Sequence, residues 1–344
     1  MPKNLVVCLD GTWNNSISGE GVGTNINAIY NAVSLENQVK SYSQGVGEHV
    51  GWFSRRAYGI SGKGAFQTAR SAWKWVAGNY QDGDKIYIFG FSRGAFVARH
   101  LAAMLVRHGM RAYQGRIEQS FREYLATANQ PCTTPQGEVC FLGLFDCVPG
   151  NQLYVLRDRS HHLNNAVLEP GIRHFRHAVS VDERRWSFRP IIFEESGNQE
   201  TFKQHWFPGC HSDVGGGDKC AEGLAAFSLW WMLREAFGAG LNFQNVECRY
   251  HNVGNALSVI NAVDPHQKPV SSDYPTTRLG LRCHRADIDL KKQVSPVPSF
   301  AEMDVCPRCN LDMFDVFRTD FGTAWLAAKG LGRSRPAGGF QGKT

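Results

Sequence analysis

The stretch DKIYIFGFSRGAF, residues 84–96, constrains the fold more than any other part of the chain. Residues 85–91 form an apolar run of strand length, and the residues that follow have the composition of a helix. Ser92 stands between the two, with Gly90 and Gly94 two positions to each side. A serine at a sharp turn from strand to helix, with glycines that relieve crowding, is typical of a nucleophile elbow. A plain tight turn is the alternative interpretation.

A serine hydroxyl is a weak nucleophile near neutral pH and needs a general base that a carboxylate orients. Behind such an elbow the acid comes next in the chain and the histidine last, each at the carboxyl end of a strand. Asp146 directly follows the apolar run VCFLGLF, and His211 follows TFKQHWF within PGCHSDVGGG. These two are the predicted acid and base. His177 is the rival base, and Asp213 and Asp182 are the alternative acids.

A tetrahedral intermediate formed on the serine would need backbone N–H donors for its oxyanion. One predicted donor is Arg93, the residue after the nucleophile. The second is predicted in the loop LDGTWNN, residues 9–15, which follows an early apolar run. Gly11 or Thr12 is the expected donor there, because glycine permits close backbone approach. An ordinary Asp-Gly turn is the alternative.

Apolar runs of strand length alternate with amphipathic segments along most of the chain. Strands are predicted near residues 5–9, 40–46, 85–91, 139–145 and 201–207, and helices near 25–35, 65–80, 94–108, 114–128, 172–181 and 221–237. The alternation predicts an α/β fold with a mostly parallel central sheet and helices on both faces. Residues 1–240 are the expected catalytic core. Residues 241–344, where the pattern weakens, are expected to pack on it as a cap or wrap, giving a single domain over 1–344.

The formal net charge is +6, and the basic residues are spread through the chain. This distribution does not predict nucleic-acid binding, although it is compatible with contact to an anionic membrane surface. No apolar run reaches the 18 residues of a membrane span. The start of the chain lacks the apolar segment of a secretory signal, so we expect a protein that is cytoplasmic as synthesised. Non-classical secretion would be compatible with this expectation.

The 10 cysteines show no framework spacing, and neither a metal nor a cofactor is predicted. Cys306 and Cys309 resemble one half of a zinc site, and Cys283 and His284 would complete it only across a wide, Pro-rich gap. Surface thiols or a disulfide are the simpler interpretation.

Five motifs together resemble a known family. They are LDGTWNN, GDKIYIFGFSRGAFVAR, GLFDCVPG, RHAVSVDERRWSFRP and WFPGCHSDVGGG, in that order along residues 9–217. They resemble the uncharacterised α/β-hydrolase family whose best-known members are the lipase effectors of bacterial type VI secretion. The resemblance implies an α/β-hydrolase fold, hydrolysis of carboxylic esters, phospholipid as the effectors' substrate, and a triad on Ser92, Asp146 and His211. Cys147 departs from the family, which usually has threonine there.

Together these patterns predict a serine hydrolase that cleaves carboxylic esters, with lipid or phospholipid acyl esters as the expected substrates. The sequence leaves protein partners open. Two alternatives stay open. One is a non-catalytic binding or toxin-associated protein on a hydrolase scaffold, because fold does not fix function. The other is a metal-dependent phosphatase, since LDGT is similar to the first haloacid-dehalogenase motif; Cys8, however, occupies the place of that motif's nucleophilic aspartate.

Overall fold

A computed structural model describes most of the first 243 residues and one short strand beyond them. The described residues are 2–11, 23–45, 62–110, 117–128, 130–149, 166–180, 183, 185, 188–195, 199–207, 209–217, 222–243 and 295–296. Two candidate site residues, Thr12 and Asp182, lie outside them, as do the four residues of the possible zinc site, Cys283, His284, Cys306 and Cys309.

The described part of the chain forms one parallel sheet of seven strands, in the order β2-β1-β3-β4-β5-β6-β7. The strands are Asn4–Leu9 (β1), Gln38–Ser43 (β2), Lys85–Phe91 (β3), Val139–Phe145 (β4), Ile172–Ser180 (β5), Thr201–Phe207 (β6) and Ser295–Pro296 (β7). The helices are Asn25–Ala32 (α1), Gly62–Asn79 (α2), Arg93–His108 (α3), Ile117–Thr127 (α4), His211–Gly215 (α5) and Glu222–Gly238 (α6). The predicted α/β fold with a mostly parallel sheet is confirmed.

Two apolar clusters sandwich the sheet and explain why its central strands are continuously apolar. Alternate residues of β1 and β3 point to opposite faces, so Leu5 and Ile88 join one cluster while Val6 and Phe89 join the other. The first cluster is closed by α2, α3 and α4, and the second by α1 and α6. A strand covered on both faces can bury every residue, as β4 does.

The prediction of a helix near residues 172–181 is wrong, because Ile172–Ser180 forms the strand β5 between β4 and β6. Its polar residues interrupt the apolar run that reveals the other central strands. In the structure they are buried with partners: Nε of Arg176 donates to Glu235 at 2.5 Å, and Nδ1 of His177 lies 2.8 Å from Oε1 of Gln204. Tertiary pairing therefore permits a buried strand where the sequence pattern is ambiguous.

The order of the strands places a crevice at the carboxyl ends of β1 and β3. The chain leaves β1 for β2 on one side of it, whereas β3 continues to β4 on the other side. Open parallel sheets bind ligands at such a switch point, outside the carboxyl ends of the strands. Ser92 lies directly after β3, at this crevice.

Residues 241–344 contribute one described strand to the sheet, since His205 and Trp206 of β6 pair with Ser295 and Pro296 of β7. The single domain and the packed C-terminal extension stay predictions. Within the described ranges, no helix is both long and apolar enough to span a membrane.

Candidate active site

The turn after β3 holds Ser92 in a strained backbone conformation. Its φ is 58° and its ψ is −125°, a region that non-glycine residues rarely adopt. The conformation is fixed by its N–H, which donates to the carbonyl of Phe145 at 3.0 Å. The hydroxyl does not cap α3. The serine side chain is therefore directed away from the helix it precedes.

Gly90 and Gly94 permit the close approach of α3 to the two strands below it. A Cβ on Gly90 would lie 2.6 Å from Cα of Ala95, in the first turn of the helix. A Cβ on Gly94 would lie 2.2 Å from the carbonyl oxygen of Leu9, at the end of β1. Both clashes are with backbone or Cα atoms, so neither can be relieved by a side-chain rotation.

Three side chains from three strand ends meet at this turn. Oγ of Ser92 lies 2.8 Å from Nε2 of His211, and Nδ1 of His211 lies 2.5 Å from Oδ2 of Asp146. The other carboxylate oxygen of Asp146 accepts the N–H of Ser180 at 3.0 Å, at the end of β5. An ionised carboxylate can only accept hydrogen bonds, so Asp146 requires the proton of the neutral ring to be on Nδ1 of His211. Nε2 is then unprotonated and can accept the proton of the serine hydroxyl. The arrangement can therefore generate a nucleophilic serine.

Asp146 is held as firmly as the serine. It is fully buried, has a φ of 40°, and donates its N–H to the carbonyl of Ala178 at 2.7 Å. The next N–H, that of Cys147, donates to Nε2 of the rival base His177 at 3.0 Å. The second ring nitrogen of His177 lies 2.8 Å from Oε1 of Gln204. The structure thus places His211 at the serine and His177 under the backbone beside the acid.

Asp213, the described alternative acid, is directed to the backbone of its own turn. Its Oδ2 accepts the N–H of Cys210 at 2.7 Å, just before α5. Gly209 has a φ of 93°, and a Cβ there would lie 2.4 Å from the side chain of Asp213. The carboxylate thus shapes the loop that presents His211, while Asp146 is the one at the imidazole.

The predicted oxyanion donor Arg93 is the first residue of α3. Amides in the first turn of a helix have no acceptor within the helix itself, which is why the N–H of this residue is the predicted donor. Burial lowers the pKa of the Arg93 guanidinium to about 10. The side chain therefore stays positively charged beside the serine at neutral pH.

The other predicted donor, Gly11, has its N–H engaged in this structure. It donates to Oδ1 of Asp10 at 2.6 Å. Oδ2 of the same carboxylate accepts the hydroxyls of Thr24 at 2.6 Å and Tyr42 at 2.5 Å. Thr12 lies outside the described residues. The second oxyanion donor therefore stays a prediction.

Sequence reasoning missed the residues that enclose His211. Its ring lies 4.7 Å from the Phe91 ring on one side and 4.8 Å, edge on, from the Phe188 ring on another. Its backbone N–H donates to Glu183, which pairs with Arg185. Glu183 and Arg185 both lie in the motif RHAVSVDERRWSFRP, so the sequence did contain a signal for them. Within this motif, Asp182, the residue before Glu183, is instead the one predicted as an alternative acid.

No three His, Cys, Asp or Glu side chains converge on a potential metal position in the described ranges. Cys8, where the phosphatase motif would need an aspartate, lies within β1 and is fully buried. Burial, with the nearby Asp10 carboxylate, raises the pKa of its thiol, so the group is neutral and apolar in character. Cys8 thus packs in the core.

Comparison with models of protein families matches residues 3–134 and 111–235 to "T6SS, Phospholipase effector Tle1-like, catalytic domain". Together the two ranges cover more than half of the chain. An uncharacterized protein of Saccharomyces cerevisiae is 32% identical over 231 residues, which cover 56% of this chain and 33% of that protein. The chain thus spans about a third of the length of this relative.

Two solved structures are similar at low identity. An uncharacterized protein from Pseudomonas aeruginosa is 20% identical, with a TM-score of 0.43, over 72% of this chain and 47% of that chain. The Tle1 effector bound to the VgrG spike of the type 6 secretion system is 19% identical, with a TM-score of 0.40, over 64% of this chain and 51% of that chain.

Proposed function

The chain belongs to the family of type VI secretion Tle1-like phospholipase effector catalytic domains, and from that membership we propose a serine hydrolase that cleaves carboxylic acyl esters of lipids. The family membership that the sequence motifs predicted is confirmed. The observation that carries the chemical proposal is the hydrogen-bonded series from Asp146 through His211 to Ser92 at the switch point of the sheet.

In the proposed reaction, Oγ of Ser92 attacks the ester carbonyl carbon while its proton passes to Nε2 of His211. Asp146 holds the ring through Nδ1–H and stabilises the imidazolium that forms. The leaving alcohol takes the proton from Nε2, and the acyl group stays on the serine. A water molecule then gives a proton to His211 and attacks the acyl-enzyme; the acyl–Oγ bond breaks, His211 returns the proton to Oγ of Ser92, and the carboxylic acid leaves.

The tetrahedral oxyanion is proposed to accept the N–H of Arg93, which the helix start fixes beside Ser92. The second donor is then either Thr12 or a Gly11 amide that Asp10 has released. Donors held in place before the reaction stabilise the developing charge without reorganisation, and one such donor is worth about 3 kcal/mol in other serine hydrolases.

A lipid acyl ester is the proposed substrate because phospholipase is the activity in the family description. The net charge of +6 would favour contact with an anionic membrane surface, which stays a prediction. Secretion of the protein as an effector is likewise a prediction.

The test compares two vesicle substrates that share a head group. Diacyl phospholipid contains the ester carbonyl, whereas its dialkyl ether analogue does not. We expect fatty acid release from the diacyl lipid alone, with no release of phosphate. Phosphate release that needs magnesium would support the phosphatase alternative. A folded protein that neither releases fatty acid nor reacts with a fluorophosphonate would support the non-catalytic alternative.

A further inference from the structure

We propose that Glu183, Arg185 and Phe188 form a clasp that positions His211 and stabilises its protonated form during the reaction. The inference rests on the proposed function and adds three positioning residues to it. The clasp residues lie in the segment after β5.

The carboxylate of Glu183 is the centre of the clasp. It is 1% exposed and accepts Nε of Arg185 at 2.8 Å and Nη2 at 2.6 Å. The backbone N–H of Arg185 also donates to it, at 2.8 Å. Oε2, which accepts Nη2, also accepts the backbone N–H of His211 at 3.3 Å. One carboxylate thus ties the arginine to the start of α5.

Phe188 links the same arginine to the imidazole. The guanidinium carbon of Arg185 lies 3.7 Å from the centre of the Phe188 ring, and that ring meets His211 edge on. Phe91 covers another side of the imidazole, which is 5% exposed as a residue. The ring is therefore held between aromatic groups and shielded from water. A positive charge that forms there depends on nearby carboxylates.

Glu183 supplies such a carboxylate. Burial alone would raise its pKa, but the hydrogen bonds and charge of Arg185, with a further contribution from His211, lower it overall. The group is therefore ionised where the enzyme would work. Three other charged residues belong to the elements that meet at His211: Asp146, at Nδ1; Asp213, two residues further along α5; and Arg93, next to Ser92 in the chain at the start of α3.

A structural role is the competing explanation, since Glu183 could merely anchor the backbone of α5. Charge separates the two explanations. Glu183→Gln removes the negative charge and keeps an oxygen acceptor for the His211 N–H. Arg185→Gln removes the counter-charge, so that the charge of Glu183, where the group stays ionised, acts on the imidazole without being offset. If the clasp stabilises the imidazolium, the two substitutions must move the pH at which His211 is protonated in opposite directions. Loss of a backbone anchor would not produce opposite shifts.

The experiment measures kcat/KM against pH for the wild type and both variants. We expect Glu183→Gln to move the midpoint of the acid limb down by about half a unit to one unit, with roughly tenfold lower kcat/KM at the optimum. Arg185→Gln should move the midpoint up. An unchanged midpoint in Glu183→Gln, or shifts of both variants in one direction, would overturn the inference. If Glu183→Gln fails to fold, the upward shift in Arg185→Gln decides alone.

The matched control is Glu169→Gln, which breaks the ion pair between Arg107 and Glu169, 2.9 Å long and largely buried at the other end of α3. We expect a lower melting temperature and an unchanged acid limb. The midpoint of the acid limb should move only in the variants whose broken ion pair contacts His211.

A second readout separates this inference from the proposed function. The pH at which the His211 imidazole titrates is followed by NMR in the same proteins, with the resonance identified by its loss in His211→Asn. Opposite shifts without any ester hydrolysis would support the clasp and overturn the proposed hydrolase. Hydrolysis that Ser92→Ala abolishes, without opposite shifts, would overturn the clasp and keep the hydrolase.

Discussion

At the scale of single residues, backbone strain is concentrated at the candidate site. Three non-glycine residues have a positive φ in the described ranges: Asn37, Ser92 and Asp146. Asn37 lies in the turn before β2, where asparagine commonly adopts this conformation. The other two are the nucleophile and the acid of the proposed mechanism. Such conformations cost of order 1–3 kcal/mol each and cluster where function requires a fixed geometry.

Asp146 and Asp213 should have separable effects. Asp146→Asn keeps a hydrogen-bonding amide but favours the wrong imidazole tautomer, so we expect kcat to fall roughly 10⁴-fold. Asp213→Asn weakens the turn before α5, so we expect a loss of about 1–2 kcal/mol in the free energy of unfolding. Measuring kcat and melting temperature for both variants tests the assignment. If Asp213→Asn abolished turnover in a stable fold while Asp146→Asn were mild, the acid would be Asp213.

At the scale of elements, the parts of the site that the sequence reveals are those set by local pattern. The elbow follows from a strand, a serine with flanking glycines and a helix, all within residues 85–108. Asp146 and His211 follow from their places after predicted strands. β5 and the clasp do not, because the buried Arg176 and Glu183 have partners 59 and 28 residues away in the chain, which only the folded structure brings into place.

The close contact of α3 with β1 predicts a strong effect of Gly94→Ala. The new Cβ would meet the carbonyl oxygens of Leu9 and Asp10, at 2.2 and 2.5 Å, so we expect about 3 kcal/mol of destabilisation or a rearranged elbow. Gly78→Ala is the control, since nothing lies within 4 Å of that position in α2. It should stabilise the fold by about 0.5–1 kcal/mol. Denaturant unfolding measures both, and equal effects would contradict the packing described here.

Glu235 of α6 should tie this helix to two strands in a pH-dependent way. It accepts Arg176 of β5 at 2.5 Å and Lys203 of β6 at 2.9 Å. Burial raises its pKa, but the two cations lower it overall. A lowered folded pKa means that the stabilisation is present above the ordinary value of 4.5 and is lost as the pH falls below it.

We therefore expect Glu235→Gln to cost about 3 kcal/mol at pH 7, because the buried Arg176 loses its carboxylate. Lys203→Gln, at the more exposed partner, should cost less than about 1 kcal/mol. Urea unfolding at pH 7 and pH 4 measures both. A difference between wild type and Glu235→Gln that grew toward low pH would contradict the assigned sign.

At the scale of the whole molecule, the sheet has a buried apolar interior, and the residues of the proposed mechanism follow the carboxyl ends of its strands. Two apolar clusters fix the strands from both faces, and the strand ends then bring together residues that are 65 and 119 positions apart in the chain. The family match places the chain among Tle1-like phospholipase effector catalytic domains. The role of residues 241–344 is the part that sequence pattern predicts least, because their apolar residues are dispersed.

One domain over 1–344 stays a prediction, and the described part of its last third is the strand β7 beside β6. Limited proteolysis should then release no stable fragment that begins near residue 245. Mass spectrometry of the digest, followed by circular dichroism of any large product, makes the measurement. A fragment from this region that folded alone would contradict the single domain.

The central claim is that Ser92 is the nucleophile of an acyl-ester hydrolase. The most direct measurement is the rate of fatty acid release by wild type, Ser92→Ala and Ser34→Ala, each purified and shown to be folded. Ser34 is a buried serine that accepts the N–H of Glu36 near the opposite ends of the strands, so its loss should leave turnover intact. We predict a loss on the order of 10³-fold or more in kcat for Ser92→Ala alone. Turnover near the wild-type rate in folded Ser92→Ala would contradict the account.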